Sequence, residues 1–158
     1  MTVIEDVRQC TDVFPHVVLT IGSFDGVHLG HRRILDEVVR TARTRNGTAA
    51  VMTMRPHPRR FFAPDRALNL LTSDAKKLHL LEAAGIDVVY FLPFDAQTAS
   101  LEPRAFIGDI VRDRCRAAQV IVGHDFRFGQ GATGDFDLLA SVAGEFGFTA
   151  HQVDALLI

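Results

Sequence analysis

Cysteine is scarce: Cys10 and Cys115 are the only two among 158 residues, and they lie far apart. They have neither metal-type nor redox-type spacing. A disulfide-stapled secreted scaffold and a cysteine-ligated metal centre are therefore excluded, and both thiols are expected as buried bystanders in a reducing cytosol. Net charge is scarce too, because 17 Lys and Arg stand against 19 Asp and Glu. At −2 with histidine neutral, nothing favours bulk nucleic-acid or membrane-surface binding. Any anion site must be a local concentration of donors. No apolar run approaches the ~20 residues of a membrane span, and no signal-peptide pattern opens the chain. We therefore expect a cytoplasmic protein with small-molecule partners, no nucleic acid and no membrane. Oligomeric state has no signal in the sequence.

Several motifs are missing as well. There is no Gly-Lys-Ser/Thr of a P-loop, no dinucleotide-type glycine spacing and no Gly-x-Ser-x-Gly. No Asp, Glu and His set has metal-ligand spacing, so the expected metal ligands are none. Internal repeats, low-complexity segments and domain linkers are also absent. What remains is ordinary for a globular domain, with 47% hydrophobic and 23% charged residues in a length that buries one core.

The apolar pattern alternates between two periods. Val17–Ile21 is apolar on both faces, as in an interior strand of a parallel sheet. From His31 onward Ile34, Leu35, Val38, Val39 and Ala42 recur at helical spacing, and Asn46-Gly47 ends that helix. Ala49–Met54 reads as a second strand. Ser73 is a plausible N-cap for a helix with Leu78, Leu81 and Ala84 inward. Asp87–Leu92 is a third strand, and Glu102–Cys115 a helix burying Phe106, Ile107, Ile110 and Val111. Val120–Val122 is a fourth strand, Leu138–Phe146 a final helix and Phe148–Val153 a fifth strand. Residues 1–16 read as mixed and polar. Five strands alternating with helices predict an α/β fold: a Rossmann-like, doubly wound, mostly parallel sheet with helices on both faces. Ligands in that architecture bind beyond the carboxyl ends of the strands.

Three loops sit there. Residues 22–31 carry Gly22, Gly26, Gly30, His28 and His31 where a strand hands over to a helix. Free backbone N–H groups and the positive end of the helix dipole suit an anion at such a turn. The two histidines could donate hydrogen bonds to phosphate oxygens as charge builds up. Residues 55–66 combine Pro56, Pro58 and Pro64 with Arg55, Arg59 and Arg60 and with Phe61 and Phe62, which suit phosphate pairing and ring stacking. Residues 123–135 mix four glycines with Asp125, Arg127, Phe126 and Phe128, a plausible nucleotide floor. Each loop also has a plain structural reading, as a tight turn, a rigid surface loop or a glycine-rich connection.

Taken together, the strings resemble a known family. Ile21-Gly22-Ser23-Phe24-Asp25-Gly26-Val27-His28-Leu29-Gly30-His31 carries the His-x-Gly-His signature of the nucleotidyltransferase superfamily. It is similar to the adenylyltransferase module of the prokaryotic bifunctional riboflavin kinase/FAD synthetases. Thr53–Pro58, Leu71-Thr72, Leu92-Pro93-Phe94-Asp95 and Val122–Gly129 agree in order and approximate spacing, so the resemblance covers roughly residues 17–153. It implies transfer of AMP from ATP to FMN, giving FAD and pyrophosphate with Mg²⁺, by direct in-line attack. By matching positions, His28 and His31 would be catalytic. Gly22, Ser23, Phe24, Asp25, His28, His31, Gly123, Asp125 and Arg127 would hold ATP. Pro56, Pro58, Phe62 and Phe128 would line the flavin side.

The sequence departs from the family pattern in three ways. Met54 stands where a phenylalanine is usual, and His124 where an acidic residue is usual. The family's downstream Ser-Ser-Thr-x-Ile-Arg-like phosphate segment is not matched, nor is the kinase domain that follows it. We expect residues 1–158 to form one nucleotidyltransferase-like domain, C-terminally truncated, without riboflavin kinase activity. Two alternatives stay open on sequence: an ATP- and flavin-binding module without turnover, and a nucleotidyltransferase with another phosphate acceptor.

Overall fold

A computed structural model describes residues 1–24, 29–55 and 74–154, the side chains at 29 and 30 excepted. Its centre is a six-stranded sheet in which every strand pairs in parallel. The main strands are β1 (Thr2–Ile4), β2 (Val17–Ile21), β3 (Thr48–Arg55), β4 (Val88–Pro93) and β5 (Ala117–Gly123). A two-stranded hairpin follows, β6 (Arg127–Phe128) and β7 (Gly134–Asp135), and β8 (Thr149–Val153) completes the main sheet. The order is β1-β4-β3-β2-β5-β8.

All five residues of β2 are buried, as its doubly apolar pattern requires of an interior strand. The side chains of the strands alternate between two cores. On one face Val18, Val51, Val89 and Ile121 meet Leu35, Val38 and Ala42 of α1 (Leu29–Thr44) and Leu81 of α2 (Asp74–Ala83). On the other, Leu19, Met52, Tyr90 and Val120 meet Phe106, Ile107 and Val111, with Leu139 and Val142 of a C-terminal helix. Each fully buried Val or Leu contributes about 1.5–3 kcal/mol, which is why both faces need helical cover.

Three features differ from the sequence expectation. The sheet has six strands rather than five, because Thr2, Val3 and Ile4 pair with Val88, Val89 and Tyr90 at one edge. One exposed and two half-buried residues carry no periodicity, so only the partner strand decides their conformation. The segment after Glu102 starts as α4 (Pro103–Phe106) and widens into a π-helix over Ile107–Arg112, with Asp113 N–H reaching back to Gly108. A further one-turn helix, α3 (Ala96–Ala99), is capped by the Asp95 carboxylate. The C-terminal helix α5 spans Phe136–Ala143, and Asp135 caps it through Leu138 N–H. Ser73 lies outside the described residues. Among the described residues no helix is long and apolar enough to cross a membrane.

The topology fixes where a ligand belongs. After β2 the chain runs outward through β3 and β4, then returns to place β5 on the other side of β2. The connections diverge above the carboxyl ends of β2 and β5, which opens a crevice there.

Candidate active site

Three residues carry the chain out of β2. Gly22 continues the ladder by donating its N–H to the Met52 carbonyl at 3.0 Å. The Ser23 carbonyl accepts from the Thr53 hydroxyl at 3.0 Å. Phe24 then takes a left-handed conformation, φ +54°, unusual for a bulky residue and typical of strained positions at functional sites. Its ring is buried at the top of the α1-side core. It covers His31, the third residue of α1, with ring centroids 5.1 Å apart. Gly22 gives that ring room, since a Cβ there would sit 3.0 Å from it. The turn and the first turn of α1 thus hold one histidine against an aromatic wall at the helix N-terminus. Of the other residues expected here, Asp25 and His28 lie outside the described residues.

The neighbouring turn starts at Gly123, close against α1: a Cβ on it would meet Ile34 Cδ1 at 3.1 Å. Phe126 N–H closes this turn on the Gly123 carbonyl at 3.3 Å. Asp125 is exposed, and its carboxylate lies 3.4 Å from where that Cβ would stand. Gly123 and Asp125 therefore lie beside the first turn across the β2–β5 crevice.

On the opposite face of the sheet the carboxyl ends of β2, β3 and β4 enclose a cavity of about 290 Å³. Ile21, Met52, Met54 and Leu92 form its floor, and Phe94, Phe106 and Phe128 its aromatic sides. Arg127 and the Gly129–Ala132 segment close the rim. Phe128 is set by its own hairpin: it pairs with Gly134, stacks on Phe126 at 5.2 Å and leans on Phe106 at 5.7 Å. A Cβ on Gly134 would fall 2.7 Å from the Phe128 ring. Gly129, at φ +79°, passes equally close to Pro103. The chamber is apolar with one arginine at its rim, the lining typical of small-molecule pockets. Pro56, Pro58 and Phe62 lie outside the described residues.

The structure thus brings Gly22, Ser23, Phe24 and His31 together on the α1 side, with Gly123 and Asp125 beside them. Arg127, expected on the nucleotide side, shares the cavity wall with Phe128. Sequence reasoning missed most of that wall. Met52 and Phe106 read as ordinary strand and helix core and Thr98 and Ala99 carried no signal, while Ile21, Met54, Leu92, Phe94 and Gly129 lay in strings resembling the family without being named as site residues. Asp95 in the same string is structural: it caps α3 and pairs with Arg8, which also holds Asp6. The Arg8 guanidinium holds the Asp6 carboxyl below the ordinary value of 3.8. The Thr98 N–H, then Arg8, do the same for Asp95. Among the described residues no three His, Cys, Asp or Glu side chains gather as metal ligands.

The pattern of the FAD synthetase family matches residues 11–158. The chain belongs to the FAD synthetase family. It is 44% identical over 131 residues to the bifunctional riboflavin kinase/FMN adenylyltransferase of Escherichia coli (strain K12), covering 83% of this chain and 42% of that one. It is 36% identical over 139 residues to the protein of that name from Pseudomonas fluorescens, covering 88% and 44%. For that of Haemophilus influenzae the figures are 32% over 152 residues, covering 96% and 49%. The chain spans about half the length of the curated relatives it matches. Among solved structures, one described as the crystal structure of a macrolide-efflux protein from Streptococcus pneumoniae superposes with a TM-score of 0.80. It covers 99% of this chain and 52% of that one at 20% identity, a likeness of fold alone.

Proposed function

We propose that this chain is an FMN adenylyltransferase, transferring AMP from ATP to FMN and releasing pyrophosphate to give FAD. The observation that carries this reading is the pairing of two unlike sites at one sheet end. A histidine-bearing turn at a helix N-terminus stands on the α1 side, and an aromatic, apolar cavity stands on the other. The first suits phosphates and the second the flavin ring, and both lie at the carboxyl edge of the sheet, where this architecture binds ligands.

In this reading a phosphate oxygen of FMN attacks the α-phosphorus of ATP in line. A new P–O bond forms as the bond to the leaving pyrophosphate breaks. The protein contributes positioning and charge stabilisation, with no covalent intermediate. His28 and His31 donate to the transferring phosphate and the leaving pyrophosphate. Gly22, Ser23, Phe24, Asp25, Gly123, Asp125 and Arg127 hold ATP, while Pro56, Pro58, Phe62 and Phe128 hold the flavin. Mg²⁺ enters as part of the Mg·ATP substrate, as expected for an ion that keeps its waters and binds through substrate phosphates.

The test is direct. The purified chain is incubated with FMN, ATP and Mg²⁺, and FAD and pyrophosphate are quantified. Equal amounts of both products are the expected result. Binding of ATP and FMN without FAD would overturn the transferase reading, and use of CTP without response to FMN would point to another acceptor.

A further inference from the structure

One side chain near the turn breaks two local rules at once. Lys77 is only 3% exposed, although an ammonium loses its hydration there. It also occupies the fourth position of α2, an end where the helix dipole disfavours a cation. Violations of this kind concentrate at functional positions. Its Nζ lies 3.4 Å from the hydroxyl of Thr53, which is fully buried in β3. That hydroxyl in turn lies 3.0 Å from the Ser23 carbonyl. The direction of both bonds follows from chemistry: an ammonium can only donate and a carbonyl only accept. The single Thr53 proton therefore goes to Ser23, and Lys77 donates into the Thr53 lone pair.

We propose that Lys77 is a positioning residue for the nucleotide, acting through Thr53 on the turn after β2. In a trans peptide the carbonyl and the following N–H point opposite ways. Drawing the Ser23 carbonyl toward β3 therefore turns the Phe24 N–H the other way, toward the β5 side of β2 where the crevice lies, and there it can meet a phosphate oxygen. Lys77 keeps the Thr53 hydroxyl from rotating, so that its proton stays on the Ser23 carbonyl. The inference rests on the assignment of this turn to ATP made above.

The test compares Thr53→Val, Thr53→Ser, Lys77→Met and Lys77→Arg with the wild-type chain. Mg·ATP and FMN are titrated separately by calorimetry, and thermal melting is recorded for each variant. Thr53→Val and Lys77→Met should raise the Kd for ATP about tenfold, the scale of one lost hydrogen bond. The Kd for FMN should stay unchanged, and Thr53→Ser should behave as wild type. An unchanged ATP Kd in Thr53→Val, or in a folded Lys77→Met, overturns the proposal. So does a parallel loss of ATP and FMN binding that tracks the melting temperature. If Lys77→Met does not fold, the Thr53 pair decides alone. If the wild-type chain binds ATP without making FAD, the transferase reading fails while the ATP titrations still decide the relay. A wild-type chain that binds no ATP overturns both.

Discussion

His31→Ala separates chemistry from packing. In the structure His31 is partly buried and its ring leans on Phe24 at 5.1 Å. Losing one such aromatic contact costs about 0.5–1.5 kcal/mol beyond the area exposed. Against a typical domain stability of about 5–15 kcal/mol, the variant stays folded. Removing one preorganised donor to developing charge costs about 2.7–4 kcal/mol, or 10²–10³ in turnover. In free energy the kinetic loss should therefore exceed the loss of stability from the ring contact. The assay is steady-state FAD formation from FMN and Mg·ATP, with a melting curve on the same preparation. His31→Gln, which retains a donor, should recover part of the rate. Turnover within about threefold of wild type, under ~0.7 kcal/mol, would refute the catalytic role. So would a rate that merely tracks the folded fraction.

Gly134→Ala should force the Phe128 ring off its stack, because the new Cβ falls 2.7 Å from it. Overpacking of this kind costs about 1–3 kcal/mol, and the KM for FMN should rise more than that for ATP. Gly144→Ala, with nothing within 4 Å of the new Cβ, is the control and should leave both unchanged. Acid should weaken the Arg8 cluster. The Asp6 and Asp95 carboxyls lie below 3.8 when folded, so their contribution is complete above that value and fades as pH falls through the lower folded value. The melting-temperature gap between wild type and Asp95→Asn should narrow from about pH 5 to about pH 2, and a constant gap would contradict the assignment. Both cysteines are buried, and burial pushes the Cys115 thiol well above its ordinary value. A thiol reagent should label neither in the native chain and both in denaturant; rapid native labelling would contradict this burial.

Much of the fold was legible because its strands are short β-branched runs and its first helix repeats at a clean period. Val17–Ile21 appears in the structure with the expected bounds. The helical pattern expected from His31 onward begins at Leu29 instead, two residues earlier. The edge strand Thr2–Ile4 was illegible, since its conformation follows from hydrogen bonds to β4, 84 or more residues away. The π-helix was illegible for a related reason: the apolar residues Phe106, Ile107, Ile110 and Val111 suit either helical pitch, and packing against the sheet selects one.

The site divides along the same line. By itself the sequence determined the chemistry on offer: glycines and histidines after β2, and an aromatic, charged loop after β5. Those types recur at fixed short spacings, and short spacings are what a sequence can express. Only the tertiary structure decided that Met52, Leu92, Phe106 and Phe128 close one cavity, and that Arg127 joins them. Only it placed the Lys77 ammonium under Ser23 through Thr53. Each of these is a meeting of distant segments at the carboxyl edge of a parallel sheet. Strand order, a global property, decides which segments meet there.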